Sequence, residues 1–161
     1  MTFWLLLFAV ASVSWAGRDW FLVVQNDYTD EVKIERLSLH CWYPEDLTNP
    51  KIIQPNSTSK FVTEVKARVV SRCFLERKKF FSAKLSSQKK QVLCSLTFRY
   101  NDGTNSAAIY DSNGRNRTVP VSAAGSASVK VEVDSHGHCL LSSGVRAKEF
   151  DESIQFYQRW H

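Results

Sequence analysis

Hydrophobic and polar residues alternate with a period of two along most of this chain, a pattern that predicts β-strands rather than helices. The clearest example is Val129, Val131 and Val133, which alternate with Lys130 and Glu132. The same alternation predicts further strands at 32–43, 61–75, 92–100, 107–111 and 119–121, and short apolar runs predict strands at 19–25 and 52–53. Within 32–43 the hydrophobic positions slip by one residue after Ile34, which is what a β-bulge produces.

Turn signals separate these strands. Asn26-Asp27, Asp102-Gly103 and Asn113-Gly114 are pairs that favour tight turns. Short strands with a turn every few residues, and no helices between them, are typical of an antiparallel sandwich. We therefore predict a mainly β fold with one antiparallel β-sandwich domain.

The C-terminal segment fits two structures. Phe150, Ile154 and Tyr157 have helical spacing, whereas Ile154, Phe156 and Trp160 suit an edge strand. The pattern does not distinguish a short helix from a strand here.

The middle of the chain, Phe61–Tyr100, is strongly basic. Two predicted strands, 61–75 and 92–100, are joined there by a basic connection. Residues 60–99 hold eleven Lys or Arg and two Glu, a local net charge of +9, whereas the whole chain has +5. This segregation predicts a basic face.

Two aromatic residues lie among the basic residues of the connection, a combination that binds anionic surfaces. We predict the binding residues to be Arg77, Lys78, Lys79, Phe80, Phe81 and Lys84. The competing interpretation is a solvated hairpin with Phe80 and Phe81 in the core. The partner expected is an extracellular protein with an acidic surface. An anionic membrane is the alternative, and nucleic acid is disfavoured because no nucleic-acid-binding motif occurs. Composition does not predict the oligomeric state.

Trp42 and Tyr43 form a second candidate binding position, because two aromatic residues precede the acidic Glu45 and Asp46. Such residues line pockets, and they also cap a sandwich core beside a disulfide. Both interpretations remain open from the sequence.

The first sixteen residues are uncharged and apolar, and Ser14-Trp15-Ala16 ends them with small residues at the positions that signal peptidase reads. We predict a signal peptide at 1–16 and a secreted domain at 17–161. Two sequons, at Asn56 and Asn116, predict a glycoprotein.

Four cysteines in an exported chain predict two disulfides. They are Cys41, Cys73, Cys94 and Cys139. Three pairings are possible. We favour Cys73–Cys94, closing the basic connection, with Cys41–Cys139 joining early and late strands.

No catalytic or cofactor motif is present: G-x-S-x-G, H-E-x-x-H and glycine-rich phosphate loops do not occur. His136 and His138 flank Gly137, which indicates a turn, and no acidic residue accompanies them at a familiar ligand spacing. We therefore predict a protein that is not an enzyme and has no cofactor or metal.

Val23–Asp46 resembles the N-terminal part of aegerolysin-type small β-sandwich proteins. The resemblance covers about one sixth of the chain and rests on Asn26, Val32, Ile34, Ser38, Leu39, Trp42, Tyr43 and Asp46. It implies a sandwich that binds membrane lipids. The chain departs from that family in its predicted signal peptide, its two predicted disulfides and its basic charge. In type it also resembles the small secreted, cysteine-paired effectors of plant-associated fungi, which bind host proteins.

Together these features predict a secreted, non-enzymatic binding protein that acts on a protein target outside the cell. In the effector interpretation it is a virulence factor that inhibits a host hydrolase or receptor. The alternatives are aegerolysin-like lipid binding through the basic, aromatic patch and, less favoured, a secreted hydrolase.

Overall fold

Eleven strands make up the described part of the chain. The computed structural model describes residues 18–66, 72–101, 104–121 and 127–144. In chain order the strands are β1 Arg18–Asn26, β2 Val32–His40, β3 Trp42–Tyr43, β4 Lys51–Ile53, β5 Ser57–Val65, β6 Lys78–Ser87, β7 Cys94–Asn101, β8 Thr104–Asp111, β9 Asn116–Val121, β10 Ala127–Val133 and β11 Cys139–Ser143. Glu45–Leu47 and Arg72–Phe74 form single 3-10 turns.

The strands form two sheets. Sheet A has the order β11-β10-β1-β5-β3, and sheet B has the order β4-β2-β6-β7-β8-β9. Neighbouring strands are antiparallel except β1 and β10, which pair in parallel. The predicted two-sheet, mainly β fold is confirmed, and the parallel pair is an addition that the local pattern did not indicate.

The core lies between the two sheets and is filled by the inward position of each alternating pair. At its centre Trp20 of sheet A contacts Phe98 of sheet B, with ring centroids 5.1 Å apart. Trp42 lies edge-on to Trp20, also at 5.1 Å, and Phe81 contacts Phe98 at 6.0 Å. All four rings are fully buried, so this cluster ties β1, β3, β6 and β7 together.

The predicted β-bulge is confirmed between Arg36 and Ser38, where the register of β2 against β6 shifts. The continuation of this strand to Tyr43 is wrong. Cys41 has a left-handed backbone (φ 53°), and Trp42 then pairs with β5 in the other sheet. The chain therefore changes sheet at Cys41, which points Trp42 inward and leaves Tyr43 half-buried.

The middle of the chain folds differently from the prediction. The strand expected over 61–75 ends at Val65 and belongs to sheet A. The expected basic connection is largely strand β6, the neighbour of β7 in sheet B. Phe81, Ala83 and Leu85 of β6 are fully buried. Their alternation was present in the sequence, but the many charged residues around it suggested a loop.

Two disulfides are present, and the pairing we favoured is wrong. Cys41 bonds to Cys73, and Cys94 bonds to Cys139. Cys94 lies opposite Leu85, at the far end of β6 from Cys73. From Lys78 to Leu85, β6 advances by seven residues, which is about 24 Å of extended strand. A disulfide needs Cα atoms within about 7 Å, so a Cys73–Cys94 bond does not fit this arrangement. The Cys94–Cys139 bond instead joins sheet B to sheet A.

The predicted turns are confirmed where they are described. Asn101 pairs with Thr104 on either side of the predicted Asp102-Gly103 turn, which itself lies outside the described residues, and Gly114 adopts φ 77° after β8. The predicted signal peptide at 1–16 and the C-terminal segment from 145 onward lie outside the described residues. Within the described ranges, no helix is long and apolar enough to cross a membrane.

Candidate functional site

An open groove of about 510 Å³ runs along the outer face of sheet B. Every second cross-strand pair of β6 and β7 contributes to its lining: Lys78 with Asn101, Phe80 with Arg99, and Ser82 with Thr97. These pairs lie side by side because outward residues on neighbouring antiparallel strands face the same way. The groove is therefore lined by every second residue of β6 and β7.

Phe80 is the aromatic centre of this groove and is 37% exposed. On one side it pairs with His40 of β2, whose ring stacks on it at a centroid distance of 6.0 Å. On the other side it pairs with exposed Arg99 of β7. Two cationic or protonatable groups thus flank an exposed aromatic ring across three adjacent strands.

The groove is basic at one end and hydroxylated at the other. Lys78 and Arg99 supply exposed positive charge, while the hydroxyls of Ser82 and Thr97 lie 3.1 Å apart. Glu76 is 3.8 Å from the Nε2 atom of His40 and is half exposed. The lining therefore offers cations, hydroxyls and an apolar ring to an anionic partner.

Lys84 lies on the same outer face, but its ammonium is held in an ion pair. Its Nζ atom lies 2.6 Å from a carboxylate oxygen of Glu35, and Lys33 contacts the other oxygen at 2.6 Å. Hydrogen bonds from Lys33 and Lys84 lower the pKa of Glu35 to about 2. Lys84 is thus part of an ion-pair network rather than a free contact.

Two of the predicted binding residues are buried. Phe81 is fully buried in the aromatic cluster, and Lys79 is 5% exposed. The Lys79 ammonium donates a hydrogen bond to the carbonyl oxygen of Lys66 at 2.6 Å and lies 5.4 Å from the centre of the Tyr100 ring. The prediction that Phe81 forms part of a contact surface is wrong, and Lys79, although it also lines the groove, is almost fully buried. Neighbouring residues of a strand point to opposite faces, so Phe80 and Phe81 have different roles.

The remaining predicted positions divide between surface and core. Arg77 is exposed immediately before β6. Trp42 is fully buried, and its Nε1–H donates to the hydroxyl of Thr63 at 2.9 Å. Tyr43 is half-buried beneath the ammonium of Lys66, 4.2 Å from its ring centre. Of the two interpretations of Trp42, the core residue beside a disulfide is therefore correct.

The other basic residues of the middle segment do not extend the groove into one ridge. Lys60 lies on β5 of sheet A. Lys89 and Lys90 lie at the far end of β6, where Lys89 contacts Thr29 and Lys90 contacts the carbonyl oxygen of His136. The expectation of a single cationic face is wrong. The groove is a smaller basic site that contains only part of the basic residues of the middle segment.

Three further positions were singled out in the sequence. Asn56 and Asn116, the sequon asparagines, are both exposed. The turn predicted at Gly137 is confirmed (φ 77°). The sequence shows no acidic residue at a familiar ligand spacing from the two histidines, but the fold brings a carboxylate oxygen of Asp134 within 3.3 Å of the Nδ1 atom of His138.

Comparison with profiles of known protein families finds no match, and comparison with curated protein sequences finds none either.

Sequence reasoning did not identify His40, Arg99, Ser82 and Thr97 as site residues. The outward phase of Ser95, Thr97 and Arg99 in β7 was predicted and is confirmed. The sequence did not show which strand lies beside β7 in the sheet. Only the pairing of β6 with both β2 and β7 brings these side chains around Phe80.

Proposed function

We propose that this chain is a secreted, non-catalytic binding protein that holds an acidic protein surface in the groove on sheet B. The observation that carries the proposal is the row His40–Phe80–Arg99, in which an exposed aromatic ring lies between an imidazole and a guanidinium on paired strands. An aromatic anchor within a charged rim is where binding energy concentrates in protein interfaces.

The distribution of charge supports a proteinaceous, acidic partner. Lys78 projects from β6 at one end of the groove, and Arg99 projects from β7 beside Phe80 in the middle of it. Arginine binds carboxylates in a bidentate geometry, and the planar fork suits the Asp and Glu side chains of a partner. Ser82 and Thr97 add hydroxyls that donate to or accept from a peptide backbone.

The setting we propose is outside the cell. Two disulfides join distant parts of the fold, and structural disulfides persist in oxidising compartments. The target class we assign is a host hydrolase or receptor that the protein inhibits as an effector.

The test is retention of a partner from extracellular fluid by the immobilised protein, followed by an affinity measurement with the purified partner. We expect the double variant Lys78→Glu/Arg99→Glu to weaken binding at least about tenfold, which corresponds to about 1.4 kcal/mol. Association should also slow as salt is raised, because charge steers the encounter.

A charge-matched control is available on other surfaces. Lys60 on sheet A and Arg115 in the turn after β8 are both exposed, so Lys60→Glu/Arg115→Glu gives the same change in net charge. Equal weakening by both double variants would contradict the proposal. Binding to anionic vesicles that is lost only in Lys78→Glu/Arg99→Glu, with no protein retained, would assign the groove to lipid headgroups instead.

A further inference from the structure

The turn between β10 and β11 is organised by one carboxylate. Asp134 Oδ1 accepts hydrogen bonds from the backbone amides of His136 at 2.8 Å and His138 at 2.9 Å. The backbone of Asp134 also pairs with the carbonyl oxygen of His138 and accepts from the amide of Gly137, each at 2.9 Å. These bonds hold both histidines on the same side of a closed turn.

The second carboxylate oxygen and the two imidazole rings converge. Asp134 Oδ2 lies 3.3 Å from His138 Nδ1. The two imidazole rings face each other at a centroid distance of 6.0 Å and an angle of 19°. One ligand atom from each of the three residues fits within 4.8 Å of the others.

These separations suit a small cation. Ligands about 2.1 Å from a tetrahedral zinc ion are about 3.4 Å apart. The Asp134–His138 pair already has this spacing, at 3.3 Å. The largest separation between ligand atoms of the three residues is 4.8 Å, so it must shorten by about 1.4 Å at most to reach the zinc spacing. The His136 side chain is exposed and can rotate to shorten it.

The turn is fixed before any ligand arrives. Cys139, the next residue, is bonded to Cys94 across the sandwich. Lys90 donates to the carbonyl oxygen of His136 at 3.2 Å. A side chain at Gly137 would approach Leu93 and Tyr28 at 3.2–3.3 Å, so the turn packs closely on the body of the domain. A rigid turn reduces the ordering that binding requires.

The ammonium of Lys90, 3.2 Å from the carbonyl oxygen of His136, lowers the affinity of this turn for a cation.

We propose that Asp134, His136 and His138 form a binding site for a divalent late transition-metal ion of the zinc or copper class. Two imidazoles and one carboxylate are the donors that such ions prefer, whereas calcium and magnesium prefer oxygen ligands alone. His136 is exposed and the other two side chains are partly exposed, which leaves coordination positions open to water or to a partner's side chain.

The test uses the full-length secreted protein without a histidine tag. Titration calorimetry with zinc should show one saturable site. We expect His136→Ala, His138→Ala and Asp134→Asn each to weaken zinc binding at least about tenfold. In the unaltered protein, zinc should shift the NMR ring signals of His136 and His138 but leave those of His40 in place.

A matched control is Asp111→Asn. Asp111 also organises a turn, because its Oδ1 atom accepts hydrogen bonds from the backbone amides of Asn113 and Arg115. No histidine takes part in these two hydrogen bonds. Its substitution should leave zinc affinity unchanged. Absence of saturable binding at millimolar zinc, or equal affinity in the two histidine variants and the unaltered protein, would overturn the proposal. The NMR arm decides the matter even if a variant folds poorly.

Discussion

The ammonium of Lys79 lies 2.6 Å from the carbonyl oxygen of Lys66 and is almost completely buried. Lys78, one residue earlier, is exposed in the groove. A buried, charged hydrogen-bond donor stabilises the strand end that it bridges, whereas an exposed lysine contributes little. The most basic stretch of the chain thus contains both a structural lysine and a surface lysine.

Replacement of these two lysines should therefore separate stability from binding. Lys79→Ala should lower the free energy of unfolding by about 1–3 kcal/mol, because the carbonyl of Lys66 loses its donor. Lys78→Ala should change it by less than about 0.5 kcal/mol. Urea denaturation measures both. Similar losses in the two variants would contradict the structural role of Lys79.

The adjacent phenylalanines should behave as differently as the lysines. Phe81 is fully buried in the aromatic cluster, so Phe81→Ala should lower the free energy of unfolding by about 3–5 kcal/mol. Phe80 is 37% exposed, and Phe80→Ala should be much less destabilising while weakening partner binding. Thermal unfolding and the affinity assay distinguish the two. A stable Phe81→Ala variant would be inconsistent with its position in the core.

The disulfides can be read directly from proteolytic fragments. Non-reducing digestion followed by mass spectrometry should yield fragments linked through Cys41–Cys73 and through Cys94–Cys139. Replacing Cys94 and Cys139 together by alanine should lower the free energy of unfolding by about 2–5 kcal/mol. A fragment containing a Cys73–Cys94 bond would show that the chain is crosslinked differently.

Trp20 and Trp42, the tryptophans within the described residues, form a matched pair. Trp42 donates its Nε1–H to Thr63, whereas Trp20 Nε1 has no acceptor among the residues described. Both rings are fully buried. Trp42→Phe leaves the Thr63 hydroxyl without its donor, while Trp20→Phe removes an unsatisfied polar group. We expect Trp42→Phe to be about 1–2 kcal/mol more destabilising in chemical denaturation. The reverse order would show that ring packing outweighs the hydrogen bond.

Glu35 should titrate unusually low. Its hydrogen bonds to Lys33 and Lys84 lower its pKa from 4.5 to about 2. Because the folded-state pKa is lowered, the ion pairs stabilise the fold above about pH 4.5, and this contribution is lost as the pH falls towards 2. NMR titration of the Glu35 carboxyl measures the pKa directly. Lys84→Met should raise it towards its ordinary value, whereas Lys51→Met, a change at another exposed lysine of sheet B, should not.

Several features of the fold were predictable because they depend on neighbouring residues alone. The period-two alternation located β7 and β10, since side chains on a strand point to opposite faces wherever the strand lies. An apolar run located β1. The phase slip after Ile34 located the bulge. The Asp-Gly pair indicated a chain reversal between two strands, and β7 and β8 on either side of it are antiparallel neighbours.

The candidate site was only partly predictable. The sequence indicated basic and aromatic residues at 77–84 but not that Lys79 and Phe81 point inward. It placed Arg99 on the polar side of its strand without showing that the side chain would lie beside Phe80. The alternation along a strand shows only that neighbouring side chains point to opposite faces of the sheet. Which of them faces the core depends on the sheet packed above.

The sequence alone therefore determined a cysteine-containing, mainly β chain and the positions of most turns, because backbone sterics and alternation act over a few residues. The tertiary structure decided the cysteine partners, the change of sheet at Cys41, the parallel pairing of β1 with β10, and the meeting of His40, Phe80 and Arg99. These depend on contacts between distant segments. The entropy of closing a loop changes so slowly with its length that sequence separation does not select among such contacts.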